Sequence, residues 1–360
     1  MSTQSIKTSK NTKSIRRRGD AVTIHEVAKR AGVSPMTVSR VINRNSNVSE
    51  DKRKSVMLAV KELHYTPNAA ARSLAVVHGT RIALIYNNPS SAYLRELLVG
   101  ALDGSSRTAT QLVIESWEHL KHPSERSAAR ALAQSVAGVV LPPPFCESKS
   151  ICAELVAADI QVVAIASDRF RPEFSSVRVD DFRAAHEMTE HLISFGHTRI
   201  GFIKGHPSHA ASAMRYEGFV AAMKSAGITV DPSLVQGGLF TYRSALEATE
   251  KLLDRRRRPT AIFASNDDMA AAAISVAHRQ GLDVPRDVSV VGFDDTASAT
   301  TVWPELTTVR QPVAAMAATA IELLERSIRR RKEGEPRIVI DHIVPHLLVK
   351  RDSVSSPAIT

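Results

Sequence analysis

The sequence predicts an N-terminal all-α helix-turn-helix module followed by an α/β body built from two doubly wound parallel sheets. Three observations lead to this fold class. Short helical patterns separated by a Gly-containing turn occupy residues 21–64. From residue 80, near-continuous Val, Ile and Leu runs alternate with helical segments, which is typical of strands buried on both faces of a parallel sheet. The alternation restarts at residue 180, so we expect two sheets rather than one.

Charge is distributed unevenly along the chain, whose 360 residues carry a net charge of +10. Residues 1–75 contain 15 Lys and Arg against 5 Asp and Glu, so they hold the entire excess. This asymmetry predicts a polyanion-binding segment on a neutral body. Residues 1–20 carry six basic groups and one acidic group, and we interpret them as a disordered basic arm. A transit peptide is the weaker interpretation, because few apolar residues could form one face.

Composition excludes several classes of protein. No run of 18 apolar residues occurs and the N-terminus lacks a signal-peptide stretch, so we expect neither a membrane span nor secretion. Cys146 and Cys152 are too few for a disulfide framework or a four-cysteine zinc site, which fits a reducing cytosol. Neither a phosphate-binding glycine loop nor a nucleophile elbow occurs, so we expect no enzyme and no cofactor.

Capping signals bound the first two predicted helices. Thr23 and Glu26 form a capping box, and Gly32 supplies the left-handed residue that ends the first helix. Ser34 is the predicted N-cap of the second helix. Once the apolar residues of this second helix are assigned to a buried face, its exposed face retains Met36, Thr37, Ser39, Arg40, Asn43 and Arg44.

The chemistry of that exposed face is suited to nucleic acid. Arg, Asn, Ser and Thr side chains can hydrogen-bond with base edges and phosphates. The alternative is a solvated helix face, which would normally carry Glu as well as Lys. Residues 35–49 contain no acidic residue, and this favours DNA contact over a merely solvated face.

A third helix is predicted to open at Ser49, with acidic groups in its first turn. Residues 65–68 break this helix, and Asn68 can cap a short Ala-rich helix over 69–75. A helix of about two turns is marginal on its own, which suits a hinge that orders on binding. A plain linker is the alternative.

The predicted body places ligands at the carboxyl ends of its strands, in the crevice between the two halves. Its last two predicted elements are a long helix over 313–331 and a strand over 337–349. The predicted domains are a basic arm (1–20), the helix-turn-helix domain (21–67), a hinge (68–78), a body (79–353) and a tail (354–360). Within the body we expect one subdomain from 79–178 and 311–332, and a second from 179–310 and 335–353.

Together these segments resemble the lactose-repressor (LacI/GalR) family of bacterial transcription regulators, over about 22–353. The strongest match is to the family's DNA-binding headpiece, TIHEVAKRAGVS at 23–34 and TVSRVIN at 37–43. The segments YTPN at 65–68 and ARSL at 71–74 are similar to the family's hinge. Shorter fragments of the body also match, namely GH at 196–197, ASND at 264–267, VGFDD at 291–295 and LTTV at 306–309. The resemblance implies a periplasmic-binding-protein-like body that holds a small effector between its halves.

The resemblance also implies roles in DNA binding. The second helix would enter the major groove of a palindromic operator, and Leu74 would be a minor-groove wedge rather than an exposed linker residue. The implied DNA-binding set is Thr23, Ser34, Met36, Thr37, Ser39, Arg40, Asn43, Tyr65, Asn68 and Leu74. Only nine residues follow Arg351 and they contain no leucine heptad, so we expect a homodimer rather than a tetramer.

Five residues are implied to bind the effector: Tyr93, Arg215, Phe240, Asn266 and Asp294. A guanidinium fork, a carboxylate, an amide and two rings suit a polar, hydroxylated ring such as a sugar. Arg215 could instead be a plain ion-pair residue and Phe240 a core residue. Where the family often has Ile-Asp-Arg, this chain has IASDR at 165–169, so Asp168 is left out of the predicted site.

Two function classes compete at this point. The first is a ligand-responsive DNA-binding repressor of the bacterial cytoplasm and nucleoid. The second is a small-molecule binding or transport protein with an incidental N-terminal module. The missing signal peptide and the basic N-terminal segment favour the first. We expect no metal site, because His206 and His209 lack the spacing of a helical zinc pair and an evident carboxylate partner.

Overall fold

The computed structural model describes residues 24–42, 49–63, 65, 80–117, 124–167 and 171–358. The chain divides into two compact units, an N-terminal unit of Met1–His78 and a body of Gly79–Thr360. Among the described residues, no helix combines the length and the apolar character needed to cross a bilayer.

The described residues of the N-terminal unit form three short helices, α1 (Ile24–Ala31), α2 (Pro35–Ile42) and α3 (Glu50–Glu62). Gly32 has φ +67°, which confirms the predicted left-handed end of α1. The Ser34 hydroxyl accepts a hydrogen bond from the Thr37 amide at 3.2 Å, which confirms the predicted cap of α2. The helices enclose a small core of Val27, Ala28, Val38, Val41, Val56 and Ala59. Helix, Gly turn and helix therefore form the predicted helix-turn-helix.

In the part of the chain that the structure describes, the first sheet of the body has six strands, all paired in parallel. Its strands are β1 (Arg81–Tyr86), β2 (Gln111–Ser116), β3 (Gly138–Leu141), β4 (Gln161–Ile165), β5 (Ser175–Arg178) and β11 (Asp341–Ile343). Their spatial order is β2-β1-β3-β4-β5-β11. The helices that belong to this half are α4 (Ser91–Thr108), α5 (Glu125–Ser135), α6 (Lys149–Ala157) and α12 (Val313–Lys332).

The second sheet repeats this topology. Its strands are β6 (Ile200–Lys204), β7 (Val235–Gly237), β8 (Ala261–Ala264), β9 (Ser289–Asp294), β10 (Thr307–Arg310) and β12 (Leu347–Val349). Their order is β7-β6-β8-β9-β10-β12, and among these described strands only β12 runs antiparallel to its neighbour. The helices of this half are α7 (Asp181–Ser194), α8 (Ala210–Ser225), α9 (Tyr242–Leu253), α10 (Asp267–Arg279) and α11 (Ser298–Thr301).

Both sheets are doubly wound, as the sequence predicts, and both have the strand order that begins 2-1-3-4-5. In this order the second strand lies on one side of the first strand, and the third, fourth and fifth strands lie on its other side. Ligands of such folds bind outside the carboxyl ends of the strands, where the order reverses. The topology therefore predicts that a ligand-binding site is formed by the loops after β1, β3, β6 and β8.

Close packing of α4 on α12 positions one wall of that crevice. A Cβ atom at Gly100 would overlap the backbone of Ala314, so only glycine lets the two helices approach this closely. Buried residues of α12, including Ile321 and Leu324, continue the same contact into the core under the first sheet. The N-terminus of α4, which begins after its cap Ser90, is held in place by this packing.

Two predictions about the C-terminal part of the body are wrong. The single strand expected over 337–349 is two strands, β11 and β12, which lie in different sheets. Pro345 separates them, because proline has no amide hydrogen to continue a ladder. The expected assignment of 335–353 to the second subdomain is therefore wrong for β11, which pairs with β5 in the first sheet.

The sequence interpretation also missed two short strands and misplaced a third. Strands β5 and β10 have the sequences SSVR and TTVR, and their polar residues hide the apolar run expected of a buried strand. The strand expected at 233–236 begins at Val235, because Pro232–Leu234 forms a 3-10 turn that Asp231 caps.

Candidate functional site

A pocket lies at the carboxyl ends of the strands of both sheets, with an empty volume of about 400 Å³. Most of its lining residues come at or just after the end of a strand, as the topology predicts. They are Asn88, Ser90, Tyr93, Pro143, Ala166, His209, Ala211, Arg215, Phe240, Asn266, Asp294 and Gln311. All five residues predicted to bind an effector are among them, so the structure brings that set together.

Arg215 projects from α8 and is the central charge of the pocket. Its Nε donates to Asp181 Oδ1 at 2.7 Å, and its Nη1 donates to the Ser265 carbonyl at 2.5 Å. Its guanidinium carbon lies 3.6 Å from the centroid of the Phe293 ring. Because these three contacts fix the guanidinium group, it loses little conformational entropy when a ligand binds, and it is therefore preorganised.

Asp294 ends β9 on the other side of the guanidinium. Its Oδ1 lies 3.6 Å from Arg215 Nη1 and accepts a hydrogen bond from Gln311 Nε2 at 2.5 Å. The pKa of Asp294 is raised to about 7, mainly by burial and to a smaller extent by Asp181 and Asp268, while Arg215 and Gln311 act to lower it. The backbone of Asp294 has φ +109°, a conformation that L-residues rarely adopt. The backbone of Asp294 is therefore strained, and its carboxyl group changes its charge near neutral pH.

Three buried polar atoms of the pocket have no hydrogen-bond partner within the protein. They are the Tyr93 hydroxyl, His209 Nε2 and Gln311 Oε1, and they account for three of the five such side-chain atoms among the described residues. A buried polar group left unpaired costs about 1–3 kcal/mol, and nearly all such groups in folded proteins are paired. Their concentration in one pocket indicates a site for a molecule that supplies both donors and acceptors.

The protonation states of Tyr93 and His209 follow from burial. Burial raises the pKa of the Tyr93 phenol, and the carboxylates of Asp294 and Asp181 raise it further, so it remains a hydroxyl donor. Burial also lowers the pKa of His209 to about 4, with smaller contributions from His206 and Arg215. His209 is thus a neutral imidazole at pH 7, able to donate or accept through Nε2.

Asn266 and Phe240 support each other at the back of the pocket. Asn266 Oδ1 caps α10 by accepting from the Met269 amide at 3.0 Å, and its Nδ2 donates to the Phe240 carbonyl at 3.2 Å. The Phe240 ring meets the ring of His209 edge-on at 5.6 Å and lies against Gly205, where a Cβ atom would overlap it. Asn266 and Phe240 therefore form one wall of the pocket. The Phe240 ring lines the pocket, and the side-chain amide of Asn266 holds the Phe240 backbone.

Two hydrogen-bonded contacts connect the halves of the body beside the pocket. The Ser90 hydroxyl donates to Asp268 Oδ2 at 2.9 Å, from the first half to the second. Glu147 reaches in the same direction and accepts from the Ala210 amide, with both carboxylate oxygens at 3.0 Å. A carboxylate at the first residue of α8 also suits the helix dipole. The pocket therefore lies between two points of attachment.

Sequence interpretation missed His209, Gln311 and Asp181. His209 was weighed only as a metal ligand, although its place after β6 could have indicated the pocket. Gln311 follows β10, a strand whose polar sequence concealed it. Asp181 opens α7, 34 residues before its partner Arg215, and no local pattern connects them. Asp168 lies outside the described residues.

The predicted DNA-binding residues are only partly described. Ser34 and Thr37 stand at the start of α2, where their hydroxyls lie 2.9 Å apart. The Tyr65 amide donates to the Val60 carbonyl at 3.0 Å, and its ring packs against the small core. Met36, Ser39 and Arg40 belong to α2, but the structure does not describe their side chains. The remaining four residues lie outside the described residues: Thr23, Asn43, Asn68 and Leu74.

Comparison with known proteins covers both units. Residues 23–68 match the model for bacterial regulatory proteins of the lacI family, and residues 189–354 match a periplasmic binding protein-like domain. The HTH-type transcriptional regulator DegA of Bacillus subtilis (strain 168) is 36% identical over 335 residues, covering 92% of this chain and 98% of DegA.

Two similar solved structures cover nearly the whole chain. The complex of the transcriptional regulator CelR with cellobiose is 31% identical with a TM-score of 0.68, covering 92% of this chain and 99% of that one. The lac repressor dimer bound to operator and the anti-inducer ONPF is 25% identical with a TM-score of 0.69, covering 93% and 100%.

Proposed function

Because the chain belongs to the lacI family of bacterial regulatory proteins, we propose that it is a ligand-responsive transcriptional repressor. Its N-terminal unit binds a palindromic operator as a homodimer. The pocket of its body binds a small, hydroxylated, sugar-like effector, and this binding changes the affinity for DNA. The observation that carries the effector role is the group of three unpartnered buried polar atoms around Arg215 and Asp294.

The chemistry of the pocket supports a neutral, hydroxyl-rich effector. Arg215 supplies donors and Asp294 an acceptor, while Tyr93 and Gln311 add one of each beside the Phe240 ring. Each sugar hydroxyl can donate and accept at once, so one ring can pair with all of these groups. The similar regulator CelR has been solved with cellobiose, which agrees with this class of ligand.

The N-terminal unit supports DNA binding through its exposed residues. Residues 1–75 carry the whole net charge of +10, and α2 contains no acidic residue. We propose that Met36, Thr37 and Arg40 lie nearest the base edges and that Leu74 inserts into the minor groove. The similar lac repressor was solved as a dimer on its operator, which agrees with a two-fold arrangement. Such a protein would act in the cytoplasm, on nucleoid DNA.

Coupling between the two functions requires two states of the body. We propose that the effector stabilises one arrangement of the two halves and thereby alters the hinge at 68–78. An effector can do this only if it binds the two arrangements with different affinity. The bonds from Ser90 to Asp268 and from Glu147 to Ala210 stabilise the arrangement in which the halves meet around the pocket.

A catalytic role is not part of this proposal. The charged groups of the pocket are paired with one another, and no acid, base and nucleophile set stands out among the described residues. A free binding or transport protein is also disfavoured, because DegA matches this chain over both units.

The effector role is tested by Arg215→Lys, which keeps the positive charge and loses the fork. Thermal-shift screening of the full-length protein against sugars identifies a ligand, and fluorescence anisotropy on a palindrome selected in vitro measures its effect on DNA affinity. We expect Arg215→Lys to weaken the effector response at least tenfold and to change operator affinity less than about twofold.

Arg286→Lys is the matched control, because Arg286 is 75% exposed and does not line the pocket. A folded Arg215→Lys protein that lost operator binding would contradict the assignment of Arg215. Operator binding that was insensitive to salt would contradict the DNA-binding role, since phosphate contacts release counterions.

A further inference from the structure

We propose that an outer chamber beside the pocket binds a second sugar unit, so that the effector is an uncharged disaccharide; this rests on the effector role proposed above. The outer chamber is lined by Tyr86, Asn87, Asn88, Pro144, His206 and Ser208, together with parts of the neighbouring loops. Its empty volume is about 720 Å³, against about 400 Å³ for the inner pocket. The site therefore has more space outside the pocket than within it.

The two spaces adjoin each other. Asn88 and His209 line both of them, so these residues stand at the junction of the two spaces. His209 is only 7% exposed and its Nε2 has no partner within the protein. A buried imidazole nitrogen at this junction can pair with a hydroxyl or the linking oxygen of a ligand that extends through it. A ligand confined to the inner pocket would leave the outer chamber unused.

The chemistry of the outer chamber selects a neutral unit. Its described lining residues offer amides, hydroxyls and imidazoles beside the apolar faces of Pro89, Leu94 and Pro144, with no Lys, Arg, Asp or Glu among them. A phosphate or carboxylate group would need a cationic partner, for which Lys and Arg are the usual residues. An amine would need a carboxylate. A hydroxylated ring with apolar faces meets both kinds of surface.

Both halves of the body form the outer chamber. Tyr86 ends β1 in the first half and Asn87 and Asn88 follow it, whereas His206 and Ser208 follow β6 in the second half. Ser208 is fixed there, because its hydroxyl lies 2.7 Å from His206 Nδ1 and 3.2 Å from His209 Nδ1. A second sugar unit would thus touch both halves, and its binding energy would depend on their arrangement. A disaccharide would therefore favour the arrangement in which the halves meet more strongly than a single sugar.

Isothermal titration calorimetry on the full-length protein tests this inference. The probes are neutral disaccharides, the monosaccharides that compose them, the corresponding sugar 6-phosphates, and adenosine. We expect at least one disaccharide to bind ten times or more tightly than either of its component monosaccharides. Equal affinity for a disaccharide and its monosaccharide would overturn the outer chamber and leave the effector role intact. Tightest binding by a sugar phosphate or by adenosine would overturn it as well, and no binding by any sugar would overturn both proposals.

A variant that blocks the outer chamber tests whether the second sugar unit binds there. Asn87 is exposed and lines the outer chamber but not the inner pocket, so Asn87→Trp should fill the outer chamber. We expect the ratio of disaccharide to monosaccharide affinity to fall at least tenfold. Lys224→Trp places the same side chain at an exposed position of α8 outside both spaces and should leave the ratio unchanged. An unchanged ratio in Asn87→Trp would place the second unit elsewhere and overturn the proposal.

Discussion

Replacing Arg215 with methionine would leave two buried carboxyl groups without their cation. Arg215, Asp181 and Asp294 are 4%, 7% and 6% exposed, and the guanidinium lies 2.7 Å and 3.6 Å from the two carboxylates. Removing one partner of a buried ion pair typically costs about 3–5 kcal/mol, because the remaining charge is buried and uncompensated. The substitution is therefore expected to destabilise the body before any question of ligand arises.

The size of this loss should depend on pH. Burial already raises the pKa of Asp181 and of Asp294, and Arg215 is the main group that lowers both. Without Arg215 both pKa values rise further. A carboxyl group whose folded pKa exceeds its unfolded value loses stability as pH rises toward the folded pKa. The variant then continues to lose stability between pH 7 and pH 8, where Asp294 of the wild type, with a pKa of about 7, is already mostly ionised, so the difference should be larger at pH 8 than at pH 6.

Thermal denaturation followed by circular dichroism measures the effect. A loss of about 3 kcal/mol corresponds to a decrease in Tm of roughly 6–12 °C for a domain of this size. Arg286→Met removes an exposed arginine that pairs with Asp283 and should change stability by less than about 0.5 kcal/mol. Adding Asp181→Asn to Arg215→Met should restore part of the loss. A Tm within 2 °C of the wild type at pH 8, or no restoration in the double variant, would refute the reasoning.

Three further predictions follow from the pocket, from its glycine and from the basic arm. Asp294 has a pKa of about 7 through burial, and hydroxyl donors prefer its ionised form, so sugar affinity should rise up to about tenfold between pH 6 and pH 8. Calorimetry at three pH values checks this, and a profile in Asp294→Asn that stays as steep as the wild type would disprove it. Gly205→Ala should displace the ring of Phe240, cost about 1–3 kcal/mol and weaken effector binding, as urea denaturation and calorimetry would measure. Gly237→Ala, with open space around its Cβ position, is the control, and equal losses in both variants would count against a specific clash. Deleting residues 1–20 should lower non-specific DNA affinity and the salt slope in anisotropy titrations while preserving operator preference, and a lost preference would mean that the arm contacts bases.

Local signals predicted the helices and the longer strands well. Gly32 and Ser34 bound α1 and α2 as expected, because capping depends on residues only a few positions apart. Near-continuous apolar runs identified β1 and β4, which are buried on both faces. Strand β5 escaped notice because it is short, and its Ser residues are satisfied by distant groups such as Asp341.

The residues of the site likewise include some that could be predicted from the sequence and others that could not. Family resemblance placed Arg215 and Asp294 in one pocket, and the fold does bring them within 3.6 Å. It did not reveal that Asp181 holds the guanidinium, because that contact depends on how α7 packs against α8. The unpartnered nitrogen of His209 is likewise a property of burial. Which polar atoms lack a partner can be known only after the chain has folded.

Near the C-terminus the chain adds one strand to the first sheet and the next strand to the second sheet, and this affects the order in which the body can fold during synthesis. Strand β11 completes the edge of the first sheet, and β12 completes the edge of the second, only a few residues later. Helix α12, whose residues cover the first sheet, is also made after every other strand of both sheets. A nascent chain that has emerged only to residue 310 therefore carries two unfinished sheets with open edges, which are prone to mispairing. Neither sheet is complete until the last segment of the body has been synthesised, so the final steps of folding of both halves are expected to follow translation of residues 341–349.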